Sequence, residues 1–462
     1  MKQSKFRMPT AYTILFVLIV LVAAATWSIP AGTYEQVDGV PQAGTYHLIE
    51  PSPQGAGAVL KAAFSGFYDA VDVCVFILMV GGFLGVVMKT GAVDAGVART
   101  IQLLGGREKW MIPILMVLFG LGGTTYGMWE ETMAFYPLLI PVFLAAGYDA
   151  VVGISVILLG AGAGVIGSTV NPFATGIAAG FAGVSLGEGM LLRLVQWVVF
   201  EGVAIWYVSA YAARVKKDRA RSVVGVGAGK LSVSVGEQVD FTPRRKLIMA
   251  LFTLTFLVMI YAVIPFDEMG LPLPVLGWWF PELSALFLTA GIVIGLIARM
   301  GEEELTETFV AGCADLLGVA LIIGISRGIT VLMNDGGITG TVLHWGEKAL
   351  SGAGPVSFVL LVYLIYLPLT VLIPSSSGLA TLSIPVVAPL GKFAGVGGEL
   401  VVTAFQSASG LVNIITPTAA VVMGALALGH VPYDRWVKYV WKLIVYFLLL
   451  TMAFLVIGVL LG

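Results

Sequence analysis

Apolar runs of about 20 residues, the length that crosses a bilayer as a helix, follow one another along the whole chain. Charge is too scarce to coat a soluble surface. Only 11% of the 462 residues are charged, against about a quarter in a soluble domain. The expected fold class is therefore an all-α polytopic membrane protein. The 58 glycines suit close helix packing and broken helices within it.

Full spans are expected at 11–31, 66–88, 149–183 (broken), 188–213, 246–265, 280–299, 308–334, 398–429 (broken) and 434–461. Two further stretches, 110–146 and 355–390, are each long enough for a helical pair and polar in the middle. They read as re-entrant hairpins. The basic start MKQSKFRMPT runs into apolar residues Ala11–Pro30 without a clear cleavage site, so it reads as a first span rather than a signal peptide. With that terminus in the cytoplasm, all Lys and Arg but Lys61, Arg193, Arg327, Lys348 and Lys392 fall inside, as the positive-inside rule asks. Residues 32–60 read as an external loop, 214–245 as a cytoplasmic linker, and 91–109 and 336–354 as interfacial helices.

The chain also repeats itself. Gly66-Phe67-Tyr68-Asp69 opens a span ending VVMKTGAV (86–93), and Gly312-Cys313-Ala314-Asp315 opens one ending VLMNDGGI (331–338). Ile140-Pro141 matches Ile384-Pro385, and Pro172 matches Pro417. These marks recur at offsets of 246, 245, 244 and 245. Residues 1–213 form the first repeat. The single connecting span 246–265 turns the second, 280–462, upside down, giving the inverted topology of many secondary transporters.

Four polar interruptions fall near mid-membrane, where non-helical backbone has to line a protein cavity. Two are hairpin tips, with Glu130, Glu131 and Thr132 in one and Ser375, Ser376 and Ser377 in the other. Two are helix breaks, at Ser168, Thr169, Asn171 and Pro172, and at Asn413, Thr416, Pro417 and Thr418. Proline removes a donor and clashes with the preceding turn. The carbonyls so freed suit cations, and half-helix N-termini suit anions. The alternative is a simple proline kink. Paired carboxylates at that depth are costly, so Glu130 and Glu131 are expected to face a cationic substrate group or a proton, unless the tip lies shallower and is solvated. Arg327 could hold a substrate carboxylate, snorkel outward or pair with another carboxylate. A hydrogen-bonded structural role is expected for Glu201, and a helix-start role for Asp69 and Asp315.

Cys74 and Cys313 lie in apolar runs and read as buried small hydrophobes. His47, His344 and His430 all lie away from mid-span. No metal site, cofactor or nucleic-acid partner is expected. No HExxH, Ser/His or Walker pattern suggests an enzyme.

At GSTVNPFATGIAAG (167–180), NIITPTAAVVMGALALG (413–429), WEET (129–132) and IPSSSGLA (373–380), the chain resembles YfcC/ArcD-type transporters of the anaerobic C4-dicarboxylate carrier (DcuC) family. That resemblance implies the ion-transporter superfamily, a scaffold domain, and a mobile transport domain working as an elevator. By analogy it also implies a homodimer in the cytoplasmic membrane. Sodium-coupled members tend to carry Ser-Asn-Thr at both tips, whereas this sequence has Glu-Glu-Thr and Ser-Ser-Ser. Coupling to Na⁺ or H⁺ is left open. The family divides between basic amino acid exchange and C4-dicarboxylate transport. The acidic tip favours a basic amino acid antiporter. A dicarboxylate carrier is the alternative, and a channel or sensor on the same scaffold is the alternative of another class.

Overall fold

The computed structural model describes residues 11–37, 40–93, 95–96, 107–125, 127–185, 187–224, 242–263, 266, 272–278 and 280–461. The first half holds α1 (Ala11–Ala25), α2 (Ala56–Asp69), α3 (Val71–Lys89), α4 (Met111–Thr125), α5 (Tyr136–Ala145), α6 (Ala150–Ile166), α7 (Ile177–Ala182) and α8 (Met190–Lys217). Then come α9 (Pro243–Val263), α10 (Phe280–Ala298), α11 (Glu302–Asp335) and α12 (Ile338–Leu350). The chain closes with α13 (Pro355–Leu372), α14 (Ser376–Phe393), α15 (Gly398–Asn413), α16 (Ala420–Leu428) and α17 (Tyr433–Leu461). Among the described residues, seven helices are long and apolar enough to cross a membrane: α3, α8, α9, α10, α11, α13 and α17. The protein is an all-α, multi-pass membrane protein.

Both hairpins form, as α4–α5 and α13–α14, and both broken helices form, as α6–α7 and α15–α16. Hairpin, broken helix and long helix thus follow one another in the same order in each half. Part of the expected 91–109 interfacial helix and most of the 214–245 linker lie outside the described residues. The second such segment, expected over 336–354, forms a helix, α12.

Several boundaries differ from expectation, the first helix among them, which ends at Ala25 rather than near residue 31. The 32–60 loop carries two short ladders, Gly32–Thr33 with His47–Leu48 and Gln36–Val37 with Val40–Pro41. It ends early, because α2 already begins at Ala56. Gly66–Asp69 does not open a span. It closes α2, and the chain turns at Ala70 before α3. Gly312–Asp315 likewise lies inside α11, which starts at Glu302. Glu302, Glu303 and Glu304 occupy its first turn, where carboxylates are stabilised by the helix dipole.

Two packed groups of helices result. In one, α11 crosses α3, α2 and α1, and α10 lies on α3 and α9. Glycine permits the crossings. A Cβ on Gly312 would stand 2.3 Å from the Gly81 carbonyl oxygen, and one on Gly66 would stand 2.2 Å from that of Gly324. Small residues play this role in membranes because lipid supplies no hydrophobic drive between helices. The other group joins the hairpins, the broken helices, α8 and α17. The two groups meet where α16 packs on α11 and the 3-10 turn Glu130–Phe135 packs on α3 and α16.

Candidate functional site

The first hairpin tip is pressed against the first helix break. Gly127 has φ +77°, and a Cβ there would lie 2.4 Å from Asn171 Nδ2. Both demands exclude a side chain. Thr124, near the end of α4, then ties the two segments together. Its hydroxyl donates to the Gly167 carbonyl (2.8 Å), while the Thr169 amide and hydroxyl both donate to the Thr124 carbonyl (2.8 and 2.9 Å). Glu131 Oε2 accepts from the Trp129 amide at 3.0 Å. The Asn171 side chain accepts from the Ala174 amide at 3.3 Å, which caps the turn that resumes the helix.

The second tip and break are held in other ways. Ser375 is the N-cap of α14, accepting from the Gly378 amide at 3.2 Å. At the second break, Ser326 donates to the Thr418 carbonyl at 2.6 Å. Tyr433 and the Trp436 indole donate to the Ile415 and Ile414 carbonyls at 2.8 and 3.1 Å. Three carbonyls that the break leaves outside the helical ladder are thereby satisfied.

These segments enclose a cavity of about 150 Å³, a volume that suits one small solute. Of the residues expected from sequence, Glu130, Glu131, Asn171, Arg327, Ser375, Ser376, Ser377, Asn413 and Thr418 line it. Thr132, Ser168, Thr169 and Thr416 do not. All four are buried and engaged elsewhere: Thr132 donates to the Trp129 carbonyl, Ser168 accepts from Thr175, Thr169 bonds Thr124, and Thr416 bonds Thr418. They brace the tips and breaks from behind. Asp69, expected at a helix start, ends α2 and pairs with Arg327 at 3.6 Å. Asp315 is exposed in the interior of α11. Glu201 is buried beside the Trp197 indole, and among the described residues neither carboxyl oxygen meets a partner in full hydrogen-bond geometry.

Sequence reasoning missed Gln406, Ser326, Val73 and Phe280, which also line the cavity together with Trp129 of the acidic tip. Gln406 was detectable. It lies seven residues before Asn413, two helical turns along the same face of α15. Its amide nitrogen donates to the Val165 carbonyl at 2.9 Å, and its Oε1, like Asn413 Oδ1, has no partner among the described residues.

The cavity is electrostatically two-sided. Glu130 and Glu131 bring two carboxylates from one tip. Opposing them are the Arg327 guanidinium and the N-terminal ends of α14 and α16, where Ser376, Ala419 and Ala420 reach the cavity. Helix N-termini present unpaired N–H groups and attract anions. The site can hold a small molecule that carries both signs of charge.

A protein of Haemophilus influenzae named only as an uncharacterized protein is 34% identical over 510 residues, covering 99% of this chain and 98% of its own. The Escherichia coli protein named "Putative basic amino acid antiporter YfcC" is 30% identical over 479 residues, covering 94% of this chain and 93% of its own. Among solved structures, the Alcanivorax borkumensis YdaH transporter is 15% identical with a TM-score of 0.45, covering 97% of this chain and 98% of its own. Neisseria gonorrhoeae MtrF, from a class of antimetabolite efflux pumps, is 18% identical with a TM-score of 0.45, covering 97% and 94%. Residues 8–460 match the sequence profile of the C4-dicarboxylate anaerobic carriers, and the chain is a membrane transporter belonging to that DcuC family.

Proposed function

We propose that this transporter exchanges basic amino acids across the cytoplasmic membrane as a secondary antiporter. The observation that carries this reading is the cavity's charge layout, with two carboxylates facing one guanidinium and two helix N-termini. An amino acid's α-carboxylate fits Arg327 and the N-termini of α14 and α16. Its cationic side chain fits Glu130 and Glu131. A C4-dicarboxylate is the second reading, favoured by Arg327 and the same N-termini, but it brings two negative charges against two carboxylates.

The matched order of elements in the two halves supports the repeat, the single span between them supports its inversion, and the distribution of Lys and Arg supports an amino terminus in the cytoplasm. The cavity lies on the seam between the two helix groups, which supports an elevator: the hairpin group carries substrate past the α1–α3, α10–α11 group. The test is counterflow in proteoliposomes preloaded with arginine, lysine, ornithine, a neutral amino acid or succinate. Saturable exchange restricted to the basic amino acids is the expected result. Exchange of succinate alone would establish the second reading, and unsaturable flux would indicate a channel.

A further inference from the structure

A second concavity, of about 480 Å³, opens between the last turns of α8 and the first turns of α17, remote from the substrate cavity. Arg214, Arg221, Lys438 and Lys442 line it, together with Tyr207 and Tyr211, and no carboxylate does. The nearest acids sit at its rim or behind it. Asp218 lies 3.4 Å from Arg221, and Asp434 lies 4.0 Å from Lys438 and 3.6 Å from Arg435. Such exposed pairs bind weakly. Buried Asp149 is already engaged by the Tyr211 and Ser222 hydroxyls at 2.6 and 2.7 Å. Arg214 and Lys442 form no ion pair among the described residues. Among the described residues, Arg214 donates to the Ala210 carbonyl and lies over the Tyr211 ring, and Lys442 lies over the Trp441 ring. Two cations therefore face the pocket with no ion-pair partner among the described residues.

What continues from the pocket identifies its ligand. Along α17, Lys438 and Lys442 are followed on the same helical face by Val445, Tyr446 and Leu449, all exposed. On α8, exposed Trp206 lies about two turns inward of Arg214. A cationic socket thus leads into an apolar, aromatic-edged groove. A soluble anion needs the socket alone, whereas a lipid needs both parts. By the count of positive residues this is the cytoplasmic end, where basic pockets between helices take anionic headgroups.

We propose that this pocket binds the phosphate of an anionic phospholipid, with its acyl chains lying along α8 and α17. The test uses the full-length protein, purified and delipidated in detergent, and reads thermal unfolding after addition of cardiolipin, phosphatidylglycerol, phosphatidylcholine or inorganic phosphate. The anionic lipids are expected to raise the midpoint by several degrees, with phosphatidylcholine and inorganic phosphate having little effect. Arg214→Gln with Lys442→Gln is expected to abolish the rise, while Lys61→Gln with Lys392→Gln, equal in charge removed but remote, keeps it. An equal response to inorganic phosphate would make the pocket a soluble-anion site and overturn the lipid assignment. An equal response to phosphatidylcholine, or an undiminished response in the Arg214/Lys442 variant, would overturn the site.

Discussion

Arg327 Nε lies 3.6 Å from Asp69 Oδ2 while the Arg327 side chain also lines the cavity. Both residues belong to the α1–α3, α10–α11 group, whereas Glu130 and Glu131 come from the hairpin tip opposite. Asp69 therefore competes with any substrate carboxylate for the same guanidinium. Asp69→Asn is expected to lower the KM for exchange. Arg327→Gln is expected to raise it by about 10- to 100-fold, the weight of a charge-assisted hydrogen bond. Initial-rate counterflow measures both, and an unchanged KM in the two variants would remove Arg327 from recognition.

Gly127→Ala is expected to impair transport beyond its effect on stability. The left-handed backbone alone costs an L-residue about 1–2 kcal/mol. The added methyl would also push Asn171, 2.4 Å away, out of the cavity wall. Thermal unfolding and uptake on the same preparation separate the two effects.

Glu201 and Gly120 are expected to be energetically coupled. A Cβ on Gly120 would stand 2.3 Å from Glu201 Oε2, with the Trp197 indole nitrogen 3.0 Å away. Gly120→Ala should destabilise the protein, and Glu201→Ala in the same chain should recover part of the loss. A double-mutant cycle on unfolding midpoints reads this coupling, because residues in contact do not add. Simple additivity would place the two side chains apart.

Glu347 organises the loop between α1 and α2. Its carboxylate accepts from the Tyr34 hydroxyl at 2.8 Å and the Gly44 amide at 3.2 Å, and meets His344 Nδ1 at 3.0 Å. Glu347→Ala is expected to cost about 1–3 kcal/mol by stranding those groups. It should leave substrate KM unchanged, since Glu347 is remote from the cavity lining. Unfolding and counterflow together check this.

The helical spans, both hairpins and both breaks were legible because lipid leaves a run of apolar residues one use and a polar-proline interruption few. The Ala70 turn was not, because Asp69 and Asp72 on either side of it read equally well as acidic residues at the start of one helix. The true start of α11 was hidden behind Glu302–Glu304, which look like a boundary in sequence yet favour a helix N-terminus. At the site, Glu130, Arg327 and the three serines were legible as polar groups in apolar runs. Thr169 and Asn171 are indistinguishable in sequence, since each is a polar residue before Pro172. Only packing decides that Thr169 bonds α4 while Asn171 faces the cavity. The Asp69–Arg327 pair joins residues far apart in sequence and had no local signal.

The most direct test of the central claim compares arginine and succinate counterflow in wild-type protein and in Glu130→Gln, Glu131→Gln protein, reconstituted at matched density. The account predicts that wild-type protein exchanges arginine and that neutralising the tip raises the arginine KM by at least about tenfold, the scale of a lost charged contact, without creating a loss of folded protein. Unaltered arginine exchange in the doubly neutralised protein, or wild-type exchange of succinate and not of arginine, would contradict it.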